Sequence, residues 1–131
     1  MRFFIVFVLL LSSLGANHVN WYSNYDKAHQ EAIKQRKKLM VILIQRDCKV
    51  CKETIQKTFM NQPYIDTINN RFISVILIKN QKSSYPIEML YTLQYPSLFF
   101  LDEAELFSCS PIFGDITPNS FKNHLESCFS D

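Results

Sequence analysis

Cys48 and Cys51 stand two residues apart in the stretch Gln45-Arg46-Asp47-Cys48-Lys49-Val50-Cys51. Two thiols at that spacing can form a reversible disulfide, a static disulfide, or half of a metal site. The preceding residues, Leu39 to Ile44, are wholly apolar, and those following have helix-forming composition. A cysteine at the junction of a buried strand and a helix lies where unpaired N–H groups and the helix dipole stabilise a thiolate. On that reading Cys48 is the exposed nucleophile and Cys51, about one turn on, is the resolving thiol. Arg46, Lys49 and Lys52 add positive potential and Asp47 opposes it.

A metal site is the competing chemistry. His124 and Cys128 are four residues apart near the C-terminus, so Cys48, Cys51, His124 and Cys128 would make a tetrahedral zinc set. The halves are far apart in sequence, and a solvent-facing His124 on a helix is the simpler reading. His18 and His29 suggest no chemistry.

The compartment bears on these alternatives. Arg2 precedes an unbroken apolar run from Phe3 to Leu11, followed by the small residues Ser12 to Ala16. This is the pattern of a secretory signal peptide, with cleavage after Gly15 or Ala16. Nine apolar residues fall short of the about 20 that span a bilayer; an uncleaved membrane anchor is the alternative. Residues 1–16 are therefore expected to be a signal peptide and 17–131 one exported domain. All four cysteines lie in that domain, and an oxidising compartment lets disulfides persist.

A chain of 131 residues with 47% apolar composition suits one packed core and excludes disorder. A net charge of +2 gives no case for nucleic acid as ligand. The elements that must position the cysteines follow from periodicity. Ser23 to Lys38 reads as a helix capped by Ser23, with Tyr25, Ala28, Ala32 and Ile33 near one face. The apolar runs Leu39 to Ile44, Phe72 to Ile78 and Ser97 to Leu101 read as buried strands, and Leu106 to Phe113 as a fourth after a tight turn. Helices are expected over Lys49–Phe59, Pro63–Asn69 and Asn119–Phe129, with a helical turn over Pro86–Leu93. The predicted fold class is α/β: a mixed four-stranded central sheet with helices on both faces, its first two long strands parallel through a right-handed crossover. Trp21, Tyr22, Phe99 and Phe100 read as packing residues. Lys34, Arg36, Lys37 and Lys38 read as a solvated helix end.

Cys109 and Cys128 are expected to lie close together, either as a structural disulfide or as adjacent buried thiols. With Cys109 in phase with Phe107 and Phe113, and Cys128 on the face of Phe121 and Leu125, a returning helix brings the two together. The strand from Cys109 to Gly114 runs roughly 17 Å and the helix from Pro118 to Cys128 roughly 15 Å, so the lengths match.

Taken together, Trp21, Ala28 and Ala32, Lys37-Lys38-Leu39-Met40-Val41, the CxxC, and Tyr95-Pro96-Ser97 resemble the thioredoxin superfamily. The resemblance is nearest to exported thioredoxin-like domains of thiol:disulfide interchange. It implies the thioredoxin fold and a redox-active disulfide between catalytic Cys48 and Cys51. It also implies a cis-proline at Pro96 that, with Tyr95, offers backbone groups to a substrate peptide. The implied activity is that of a periplasmic thiol-disulfide oxidoreductase, a monomer that uses no organic cofactor or metal. Its partners would be cysteine-containing exported proteins and a membrane electron donor or acceptor. A catalytically silent binding or metal-carrying module of the same fold is the alternative. Asp47 stands where the family usually has Trp, and Ile42 where many members carry a buried acid. The direction of electron flow therefore does not follow from the motif.

Overall fold

The computed structural model describes residues 18–60, 62–80, 85–86 and 90–129, with the backbone alone at 62 and 63. The expected signal peptide, and the middle of the helical turn expected over 86–93, lie outside the described residues.

The elements run β1 (Trp21–Tyr22), α1 (Tyr25–Gln35), β2 (Lys38–Ile44), α2 (Lys49–Thr54), α3 (Gln62–Arg71), β3 (Phe72–Ile78), β4 (Ser97–Leu101), β5 (Phe107–Phe113) and α4 (Pro118–Phe129). One sheet has the order β1-β3-β2-β4-β5. It is parallel across β1, β3 and β2, and antiparallel across β2, β4 and β5. The sheet therefore has five strands, not the four expected. The added strand is Trp21–Tyr22, paired with Ser74 and Val75. Two residues carry no alternation of their own, and only their neighbour makes them a strand.

Side chains alternate along β2. Leu39, Val41 and Leu43 pack with Tyr25, Ala28 and Ala32 of α1, whose small alanines let helix and sheet approach. Met40 and Ile42 pack on the other face, with Phe59, Ile65, Ile68, Phe121 and Leu125 from the remaining helices. Helices thus cover both faces, and the central strands are apolar throughout for that reason.

Helix α1 starts at Asn24, not Ser23: the Asn24 side chain accepts a hydrogen bond from the Lys27 N–H at 3.0 Å. It ends at Arg36, whose left-handed backbone (φ 55°) directs its N–H to the Ala32 and Ile33 carbonyls. After Thr54, α2 continues as one π-helical turn, Ile55–Phe59. Between β4 and β5, Asp102 closes the turn by accepting from the Ala104 and Leu106 N–H groups at 2.9 and 3.0 Å.

Tyr25 ties α1 to that turn. Its hydroxyl donates to Glu105 Oε2 at 2.8 Å, from a side chain that is otherwise buried. Burial, then the Glu105 hydrogen bond and charge, push the phenol well above its ordinary value of 10.0. The phenol in the unfolded chain ionises first, so the unfolded state binds fewer protons and stability falls as pH rises above about 10. We predict that Tyr25→Phe lowers stability by about 1 kcal/mol at neutral pH and flattens this alkaline loss. Urea titrations from pH 7 to 11 check it. An unchanged alkaline slope in the variant would show that Tyr25 is not its source.

Candidate functional site

Beyond Ile44 the chain leaves β2 through exposed Gln45, Arg46 and Asp47, with Asp47 in a left-handed conformation (φ 55°). That turn sets Cys48 in extended backbone at the N-cap of α2. Cys48 is half-buried, and its Sγ accepts a hydrogen bond from the Cys51 N–H at 3.1 Å. The Cys48 carbonyl accepts from the Lys52 N–H, so helical bonding starts at this residue. Cys51 is 2% exposed. The two form a disulfide with Cα atoms 5.2 Å apart. A donor already aimed at Cys48 Sγ is the arrangement that stabilises a thiolate once the disulfide is reduced. Arg46, Lys49 and Lys52 are exposed around it, as is Asp47. Ile42 is fully buried among apolar neighbours including Met40, Phe59 and Leu98.

The Tyr95–Pro96 loop lies at the same end of the sheet, because Ser97, the next residue, pairs with Leu43 near the end of β2. The Tyr95–Pro96 peptide bond is cis. Pro96 has no N–H, and its carbonyl accepts from the Gly114 N–H at 2.9 Å. A small buried network braces the loop. Thr92 Oγ1 donates to the Gln94 carbonyl at 2.9 Å, accepts from the Gln94 N–H at 3.0 Å, and lies 2.8 Å from Ser97 Oγ. Thr92 and Ser97 were not singled out from the sequence; polar residues flanking a proline turn were the available signal. Lys79 Nζ lies 5.4 Å from the centre of the Tyr95 ring. Partial burial, then Tyr85 and Tyr91, raise the Tyr95 phenol, which keeps its hydroxyl proton as a donor. Gln45, Arg46, Lys79 and Asn80 line a cavity of about 350 Å³ at this end.

The other two cysteines lie elsewhere. Cys109 on β5 and Cys128 on α4 form a disulfide with Cα atoms 5.7 Å apart. The phase argument that paired Cys109 with Phe107 and Phe113 fails. Cys109 pairs with Phe100 while Phe107 pairs with Leu101, and irregularities flank Cys109 on both sides. Cys109 packs on the core face that holds Phe121 and Leu125, whereas the Phe107 and Phe113 rings meet Phe99 on the opposite face. Bulges reverse the side-chain alternation.

His124 is half-buried, which corrects the solvent-facing reading. Its ring stacks on Phe100 with centroids 5.6 Å apart. The four-ligand zinc set does not assemble. Cys48 and Cys51 follow the end of β2, while Cys128 lines a cavity with Lys38, where β2 begins. Seven residues of strand, roughly 20 Å, separate them. Cys109, His124 and Cys128 do converge, with donor atoms within 4.8 Å of one another.

A family model described as thioredoxin-like matches residues 20–103. A search of the curated proteins gave no match. Among solved structures, a thioredoxin from Thermus thermophilus is 16% identical, with 84% of this chain and 86% of that one covered at a TM-score of 0.71. A putative disulphide-isomerase from Bacteroides thetaiotaomicron is 17% identical, covering 90% and 99%, also at 0.71. The C-terminal domain of Neisseria meningitidis DsbD in its oxidised form is 16% identical, covering 79% and 91%, at 0.62. At these identities the likeness is one of fold, and that fold is the thioredoxin fold.

Proposed function

The chain belongs to the thioredoxin-like family, and from that premise we propose that it is an exported thiol-disulfide oxidoreductase acting through Cys48 and Cys51. The observation that carries the reading is the asymmetry of the pair. Cys48 is half-exposed at a helix start with the Cys51 N–H on its sulfur, and Cys51 is buried behind it.

In the reducing direction, the Cys48 thiolate attacks one sulfur of a substrate disulfide, and the other substrate sulfur leaves as a thiolate. The Cys51 thiolate then attacks Cys48 Sγ, closes the Cys48–Cys51 disulfide and releases the second substrate thiolate. Two electrons pass to the substrate, and the reverse sequence oxidises a dithiol. Protein sulfurs carry every step. Tyr95 and Pro96 are the proposed substrate-binding residues, with the Tyr95 backbone offering the groups that Pro96 does not. The N-terminal apolar run supports export to a periplasm, where cysteine-bearing exported proteins and a membrane electron donor or acceptor would be its partners. No helix among the described residues is long and apolar enough to cross a membrane.

Two measurements test the proposal: insulin reduction by the dithiol form, and equilibration of Cys48–Cys51 with a glutathione redox buffer. A potential near roughly −270 mV marks a reductase and one near roughly −120 mV an oxidant. A pair that neither turns over insulin nor equilibrates would leave a binding module, and the enzymatic reading would fall.

A further inference from the structure

The end of the sheet remote from Cys48 carries a second assembly. Arg36, Lys37, Lys38 and Arg71 line an open cavity of about 320 Å³ together with Phe72, Cys128 and Phe129. Two of the cations are engaged: Lys37 Nζ donates to the Asn69 carbonyl at 3.1 Å, and Lys38 Nζ lies 4.8 Å from the centre of the Phe129 ring. Arg36 and Arg71 are exposed. The cavity has the volume of a small-ligand site, with four basic residues and Cys128, one half of a disulfide, on its wall.

The other sulfur faces His124. His124 Nε2 lies 2.6 Å from the Ser110 carbonyl and 3.2 Å from Cys109 Sγ. A carbonyl only accepts, so Nε2 carries a proton and is a donor to both groups. While Cys109 and Cys128 are joined in the disulfide, neither offers a thiolate to a metal at Cys109, His124 and Cys128. The arrangement suits a different chemistry: a hydrogen-bond donor placed on the sulfur that would leave if the disulfide were attacked at Cys128.

We propose that Cys109–Cys128 is a second exchangeable disulfide, attacked at Cys128 by a carboxylate-bearing small thiol that the basic cavity admits. The incoming thiolate forms a bond to Cys128 Sγ. The Cys128–Cys109 bond breaks, and Cys109 departs as a thiolate that accepts a hydrogen bond from the His124 Nε2–H and takes up from solvent the proton that the incoming thiol gave up. The product is a mixed disulfide on Cys128 and one free thiol on Cys109. The incoming sulfur is oxidised, the Cys109 sulfur is reduced, and no outside electron carrier is needed. Arg36 and Arg71 suit carboxylates because a guanidinium can bind both oxygens at once.

The test uses the full chain with Cys48→Ser and Cys51→Ser, which leaves Cys109 and Cys128 as its only cysteines. The oxidised protein is mixed with reduced glutathione or with neutral 2-mercaptoethanol, quenched with acid, and read by intact and peptide mass. The expected result is one glutathione on Cys128 and a free Cys109. Adding Arg36→Asn, which tolerates the left-handed backbone, and Arg71→Gln should slow glutathione about tenfold and leave 2-mercaptoethanol unchanged. His124→Leu should slow both thiols, and His124→Gln, which keeps a donor, should restore the rate. An adduct on Cys109, no adduct, or equal slowing of both thiols by the arginine changes would overturn the proposal. So would a protein that purifies with Cys109 and Cys128 as free thiols.

Discussion

Cys48→Ser abolishes disulfide exchange with a protein substrate, and Cys51→Ser leaves the first step intact but traps the substrate as a mixed disulfide on Cys48. These are the expected results of the asymmetry between the two residues. Removing the attacking sulfur leaves no route to the first covalent bond, so turnover should fall about 1,000-fold or more. Removing the resolving sulfur stops the second step only. Cys51 is 2% exposed, so it reaches the Cys48 sulfur from inside the fold and an incoming protein disulfide much less readily. The reduced wild-type chain should likewise alkylate first at Cys48, whose sulfur already receives the Cys51 N–H at 3.1 Å. Brief iodoacetamide labelling followed by peptide mass analysis reads the order directly. Faster labelling of Cys51, or mixed disulfides gathering in the Cys48→Ser protein, would reverse the roles. That measurement is independent of the second disulfide, because peptides carrying Cys109 and Cys128 are scored separately.

The positions of these cysteines were legible for different reasons. Cys48 and Cys51 are close in sequence, and the apolar run before them is long enough to declare a buried strand by itself. Strands β2, β3 and β4 share that property, since each is covered on both faces and needs no alternation to be recognised. Strand β1 does not, because Trp21 and Tyr22 are extended only by virtue of pairing with β3. Strand β5 has the composition of a strand, but irregular pairing on either side of Cys109 turns that side chain to the face opposite Phe107. No periodicity argument sees a bulge, so Cys109 and Cys128 were brought together on a false phase. The same bulge explains why the environment of His124 was misread: its partners, Ser110 and Cys109, take their places from it. The basic cavity was also hidden. Arg36 ends a helix, Lys38 starts a strand and Arg71 ends another helix; only the parallel pairing of Lys38 with Phe72 sets them side by side.

Phe100→Ala is expected to cost about 3–5 kcal/mol, the range for deleting a buried aromatic ring. In a domain of this size that is a large share of total stability and should lower Tm by roughly 15 °C. Phe100 is fully buried, and its ring meets Phe72, Phe129 and His124 at centroid distances of 5.7, 5.4 and 5.6 Å. It is the surface on which the last turns of α4 rest. Phe99, its neighbour, is equally buried but points to the opposite face, among Leu39, Val41 and α1. Phe99→Ala should therefore cost a similar amount without touching the support of α4. The two variants separate global from local loosening. Reduction of Cys109–Cys128 by dithiothreitol, followed at a temperature where both remain folded, should accelerate in Phe100→Ala and stay near wild type in Phe99→Ala. Equal acceleration in both would mean that the disulfide opens only through unfolding of the whole domain. The packing of α4 on Phe100 would then have no separate part in holding Cys128 beside Cys109.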